Sequence, residues 1–275
     1  MSGQGRSQLQ TAETEPRALE SLLGFWAEAG VDTAFTDEPV DRLAERILPP
    51  PPVQAASKAA AAPAGPDVSG AIAEARRLAA EANDLPALAT AIAAFDGCGL
   101  KFEGARQAVF SRGNPEADVM VIGEGPGAEE DLQGAPFVGR AGKLLDKMLA
   151  AAGLEGRVFI TNTVFWRPPG NRTPTPAEQA ACAPFLERAI ALVRPKMLML
   201  AGGAAAKHVL ATTDGILSLR GRWFEWRSSD EALEIPALPT LHPAFLLRQP
   251  AAKKKAWADL LTLTERLDRP ERATP

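Results

Sequence analysis

From Asp118 onward the chain alternates short apolar runs with helical patterns, and that alternation restricts the fold more than any other feature. Residues 119–122 form an apolar strand that ends in Gly123-Glu124-Gly125-Pro126-Gly127. A helix begins near Gly139, with Leu144, Leu145, Met148 and Leu149 on its inner face. Residues 158–165 read as a second strand and 196–201 as a third, the latter followed by a helix through Leu210. Thr175-Pro176-Ala177-Glu178 has the spacing of a capping box with proline at the first helical position. Residues 220–227 suggest a small strand or hairpin, 237–241 another strand, and 253–267 a closing amphipathic helix. Strands that alternate with helices predict a mostly parallel sheet covered on both faces. Ligands of such sheets bind beyond the carboxyl ends of the strands. Glu124, Asn162 and His242 all lie at or just past a predicted strand end.

The first part of the chain has a different texture. Residues 15–31 show helical spacing, with Leu19, Leu22, Leu23, Trp26 and Ala27 on one stripe. Six of the eighteen residues from 49 to 66 are proline, so that stretch is expected to be a linker. Helices are predicted over 68–82 and 85–95. The expected division is an N-terminal helical segment (1–48), the linker (49–66), a catalytic domain (67–268) and a short tail (269–275). The first ten residues are polar and no long apolar run occurs, so neither a signal peptide nor a membrane span is expected. Two cysteines make no disulfide framework, which favours a reducing, cytoplasmic setting. The formal net charge is -4, whereas nucleic-acid binders usually carry a basic footprint. Local potential at the binding face decides that question, not the total.

Four stretches carry chemistry. Residues 123–128 match the dinucleotide fingerprint G-x-G-x-x-A, but Glu129, Glu130 and Asp131 would repel a pyrophosphate there. Pro126 also removes a backbone donor, and no Gly-Lys-Ser/Thr follows. In 134–143, Phe137 stands among glycines and a proline, placed either to face a planar ligand or to plug the core. Lys143 can approach a phosphate there or remain solvated. In 161–172, Asn162 interrupts an apolar strand and offers both a donor and an acceptor to a base edge. The Pro-Pro-Gly turn then returns Asn171, Arg167 and Arg172 toward the same edge, although surface charge and turn formation explain them equally well. In 241–248, His242 follows a strand and precedes Leu246, Leu247 and Arg248, an apolar wedge beside a cation that suits insertion into a base stack.

Taken together and in this order, these four motifs resemble the family 4 uracil-DNA glycosylases over roughly residues 95–265. The resemblance implies a three-layer α/β/α sandwich with a central, mostly parallel four-stranded sheet. It implies hydrolysis of the N-glycosidic bond of uracil in DNA to leave an abasic site, in base excision repair. By position, Glu124 is expected to orient the attacking water, a role for which Asn171 is the alternative. Phe137 is the expected platform under flipped-out uracil, Asn162 the uracil-reading residue and His242 the stabiliser of the leaving group. Gly123 and Gly125 border the base, while Lys143, Arg167, Arg172, Leu246, Leu247 and Arg248 are expected DNA contacts. The expected partner is uracil-containing DNA, single- or double-stranded, bound by a monomer.

Family members hold a 4Fe–4S cluster through four cysteines. The corresponding positions here are Phe95, Cys98, Trp166 and Cys182, and neither aromatic can ligate iron. The cluster is therefore expected to be absent, with no other cofactor or metal required. Two rivals remain: a uracil- or abasic-site DNA-binding protein without turnover, and a nucleotide-dependent oxidoreductase using the glycine turn.

Overall fold

The computed structural model describes residues 68–269. The expected helix over 15–31, the linker and the last six residues lie outside the described residues. In the described part, α1 (Val68–Glu81) and α2 (Leu85–Ala94) precede a six-stranded sheet. Its strands are β1 (Ser111–Gly113), β2 (Val119–Gly123), β3 (Val158–Asn162), β4 (Met197–Ala201), β5 (Phe224–Arg227) and β6 (Glu234–Thr240). Their order is β1-β3-β2-β4-β6-β5. The inner four pair in parallel, and β1 and β5 add antiparallel edges. The expected four-stranded sheet is thus the parallel centre of a larger one.

The inner strands read as near-continuous apolar runs because both of their faces are covered. Every residue of β2, β3 and β4 is buried. Alternation sends Met120, Ile122, Leu198 and Leu200 to one side, against Leu88, Ile92, Phe185 and Ile190. Val119, Val121, Ile160 and Met199 go to the other side, against Leu145, Leu149, Leu260 and Leu263. The first layer is built from α1, α2 and α5 (Pro176–Val193), the second from α4 (Arg140–Ala151) and α9 (Lys253–Asp268). These are the three layers of an α/β/α sandwich.

Thr175 caps α5 as its sequence foretells, its hydroxyl accepting from Glu178 N while the Glu178 carboxylate accepts from Thr175 N at 2.7 Å. Four short helices complete the fold: α3 (Ala128–Gln133), α6 (Gly203–Val209), α7 (Ile216–Leu219) and α8 (Pro243–Arg248). The second strand stops at Asn162, short of the expected Phe165, because the chain leaves the sheet where Thr163 and Val164 bond back to the β2 turn.

Candidate active site

The carboxyl ends of β2, β3 and β6 lie at the same end of the sheet, with that of β4 between β2 and β6. Past β2, the glycine turn docks on the end of β3. Thr163 N donates to the Gly123 carbonyl at 2.9 Å, and the Thr163 hydroxyl donates to the Glu124 carbonyl at 2.6 Å. Glu124 is half-buried there. Glu130, three residues into the helix start, accepts from Gly127 N at 3.1 Å, Val138 N at 3.0 Å and Gly139 N at 2.9 Å. One carboxylate thereby joins the glycine turn to the loop that carries Phe137. It also occupies Gly127 N, an amide of the glycine turn that a pyrophosphate would need, and sets a negative charge beside it. Arg112, on β1, grips the same loop from behind by donating to the carbonyls of Pro136 at 2.7 Å and Phe137 at 3.1 Å.

This bracing holds Phe137 in an uncommon conformation, with φ +54° for a bulky residue. Gly142 explains how α4 tolerates it: a Cβ at that position would lie 1.6 Å from the Phe137 carbonyl oxygen. Replacing Glu130 with Ala should free both loops at once. A misplacement on the order of 1 Å at a reacting centre is costly, so kcat/KM for base release is expected to fall at least about tenfold. A Glu130→Gln variant, which keeps one acceptor, should recover part of the loss, and equal rates in wild type and Glu130→Ala would refute the bracing role.

Phe137, Asn162 and His242 come together around this frame. A Cβ on Gly123 would stand 2.5 Å from both Asn162 Oδ1 and the Phe137 ring, so glycine alone lets the two approach. The rings of Phe137 and His242 lie 5.6 Å apart and tilted by 32°. Asn162 is 1% exposed, and its Oδ1 has no hydrogen-bond partner although it is buried. A buried carbonyl oxygen left unmatched costs free energy and points to a donor from outside the protein.

His242 caps α8, its Nδ1 accepting from Ala244 N at 3.1 Å. That bond leaves the proton of the neutral ring on Nε2. Burial, and secondly the charge of Arg248, lower the His242 pKa to about 4, with Glu130 pulling weakly the other way. The imidazole is therefore neutral at pH 7. An unfolded histidine takes up its proton near 6.5, the folded one only near 4. Stability from this group is thus complete above 6.5 and declines as pH falls toward 4. Base release should likewise show no inflection near pH 6.5 and an acid limb near 4. An acid limb at 6–7 that disappears in His242→Ala would contradict the neutral ring.

The remaining expected residues divide. Leu247 is 38% exposed and Arg248 is exposed, whereas Leu246 is fully buried against Leu241 and Ala256. Leu246 therefore packs into the core, whereas Leu247, 100° further round α8, is the one of the two leucines that faces out. Arg172 is engaged by carboxylates of the protein itself. Its guanidinium holds Glu178 through bonds of 2.6 and 2.9 Å and reaches Glu103 at 3.1 Å, so its charge is matched inside the protein. Arg167 Nε donates to Asn171 Oδ1 at 2.7 Å, and Asn171, at φ +57°, is exposed in the turn. Lys143 is exposed on the first turn of α4.

The four positions of the iron-ligating pattern converge in one core. Phe95, Cys98, Trp166 and Cys182 are all buried in the layer formed by α1, α2 and α5. Phe95 packs edge-on against Phe185 with ring centres 5.1 Å apart, and Trp166 stands at 80° to Phe165. Cys182 donates to the Cys98 sulfur at 3.9 Å, and burial pushes the Cys182 thiol up, so it stays protonated. Two thiols, a phenyl ring and an indole do not fit a four-thiolate cluster. Among the described residues no group of three or more His, Cys, Asp or Glu is placed to hold a metal ion.

Comparison with known proteins places the same stretches in a known family. The family model described as "Uracil DNA glycosylase superfamily" matches residues 110–261, which contain all four chemistry-bearing stretches. A type-4 uracil-DNA glycosylase of Sulfurisphaera tokodaii is 39% identical over 173 residues, covering 61% of this chain and 78% of that protein. The enzyme of the same name from Thermotoga maritima is 41% identical over 145 residues, covering 51% of this chain and 71% of its own length. A type-5 uracil-DNA glycosylase of Thermus thermophilus is 33% identical over 119 residues, 38% of this chain and 54% of that one. With a family model covering more than half of its length and type-4 enzymes among its relatives, this chain belongs to the uracil-DNA glycosylase superfamily.

Proposed function

We infer that this protein excises uracil from DNA by hydrolysing its N-glycosidic bond, and that it does so without an iron–sulfur cluster. The unmatched, buried Oδ1 of Asn162 beside Phe137 and His242 carries the assignment. Uracil presents an N3–H donor where cytosine presents a bare acceptor, so an Asn162 oxygen that lacks a donor favours the first and repels the second.

The base must leave the duplex to reach such a buried position, at a cost of a few kcal/mol. Stacking on Phe137 offsets about 1–3 kcal/mol of that. Leu247, exposed on α8, occupies the gap left in the stack, with Arg248 and Lys143 near the backbone. As the bond to the sugar lengthens, negative charge collects on the uracil oxygens. The neutral His242 offers its Nε2–H to that charge, and a donor fixed in place acts more strongly on the transition state than on the ground state. A neutral imidazole can act as an electrophile when its surroundings keep the ring from protonating. Glu124 orients water and stabilises the sugar cation. The alternative, Asn171, already has its amide oxygen engaged by Arg167 in an exposed turn.

The absent cluster is compensated by packing, since Phe95 and Trp166 fill its volume. The protein is proposed to act as a monomer in a reducing compartment, consistent with two free cysteines; no helix of the described residues is long and apolar enough to cross a membrane.

Incubation with otherwise identical oligonucleotides containing one uracil, cytosine or thymine, single- and double-stranded, tests the activity. Free uracil and an alkali-labile site are expected from the uracil strands alone. Tight binding without release would instead establish a uracil- or abasic-site binding module.

A further inference from the structure

We propose that a cationic rim on α4 and the start of α9, not recognised from the sequence, grips the DNA backbone on both sides of the base pocket. This rests on DNA being the substrate. The rim is made of Arg140, Lys143 and Lys147 on α4 and Lys253, Lys254 and Lys255 opening α9, all exposed. Only Lys143 stood out in the sequence, because the others look like ordinary solvated charge until the packing is known.

Three observations support the assignment. The first is placement. α4 and α8 are packed together, with Leu144 and Met148 of α4 against the Leu241–Leu246–Ala256 cluster, so the α4 cations border the helix that begins at His242. Positions 140, 143 and 147 share one helical stripe. On the other side, α8 passes through the single turn Pro250–Ala252 directly into the three lysines. Leu247, the exposed apolar residue of α8, thus belongs to a helix that packs on α4 and leads into the three lysines.

The second is rigidity. Arg220 donates to the Lys255 carbonyl at 2.6 Å and also bonds the buried Asp259 carboxylate. Asp259 in turn accepts from the Thr240 hydroxyl at 2.7 Å, two residues before His242. The lysine turn and the catalytic histidine therefore share one hydrogen-bonded frame.

The third is that most of these charges stand where they oppose a helix dipole. Lys253, Lys254 and Lys255 occupy the first turn of a helix, where positive charge opposes the helix dipole, and no acidic residue stands there to offset them. Arg140 and Lys143 open α4 in the same unfavourable sense. Elsewhere in the described residues, cations such as Arg77, Arg112, Arg157 and Arg220 are paired with carboxylates. A protein of net charge -4 that places unhelpful cations around its pocket has the local potential that its total charge conceals.

The test follows from counterion release. The dissociation constant for a fluorescein-labelled duplex carrying one uracil is measured between about 50 and 300 mM KCl, for wild type, the Lys253→Ala/Lys254→Ala/Lys255→Ala triple variant and its Lys→Arg counterpart. Each phosphate that is no longer neutralised lowers the log–log salt slope by about 0.9. The alanine variant should lose roughly 2–3 units of slope and bind at least about tenfold more weakly at the lowest salt. The arginine variant should keep the wild-type slope, which separates charge from folding, and Arg76→Ala on α1 should change nothing. If wild type releases uracil but the alanine variant keeps the full slope, the rim is wrong and the activity stands. If wild type releases no uracil, the assignment of function fails first.

Discussion

Replacing His242 with Ala is expected to slow uracil release by about 100- to 1,000-fold at saturating protein, the usual cost of removing one fixed donor to a developing oxyanion. The loss should appear in the single-turnover rate and barely in DNA affinity, because Nε2–H strengthens its bond only as the base departs. The fold should survive. His242 accepts one bond, from Ala244 N, and the β6 end that precedes it is held separately by Thr240 and Asp259. Retention of the wild-type rate in a folded His242→Ala protein would remove the imidazole from the mechanism.

The second large effect concerns stability. Trp166 is 1% exposed and Phe95 2%, and both stand in the core that also buries Cys98, Cys182 and Phe185. Truncating a buried Trp to Ala removes its packing and leaves a void, at about 3–5 kcal/mol. In a domain of this size that lowers the melting temperature by roughly 6–20 °C. A shift under about 2 °C, by contrast, would mean that the tryptophan does not fill a volume the domain depends on.

Much of the fold was legible because the inner strands are buried on both faces, which writes them as uninterrupted apolar runs. The capping box at Thr175 and Glu178 announced α5 through local chemistry alone. β1 escaped notice because Ser111–Gly113 is a three-residue edge whose pairing with β3 depends on distant residues. The six residues of α8 are too few to display a period, which is why Leu246 and Leu247 could not be told apart.

Phe137, Asn162 and His242 stood out as chemical exceptions, an aromatic among glycines, a carboxamide in a strand and a histidine at a strand end. Their supports did not. Glu130 sits in an acidic run that repels anions when read as charge, yet its carboxylate accepts three backbone amides. Its spacing from Gly127 was the available clue, since an acid three residues past a helix cap commonly reaches back. Arg112 acts through a strand pairing that no local pattern encodes.

The most direct measurement determines iron content and single-turnover uracil release on the same purified sample. Substoichiometric iron, no broad visible absorption and full conversion of uracil-containing DNA to abasic product are expected. Release that appears only after a cluster is reconstituted, or iron at about four atoms per chain, would contradict a glycosylase whose aromatic core has taken the cluster's place.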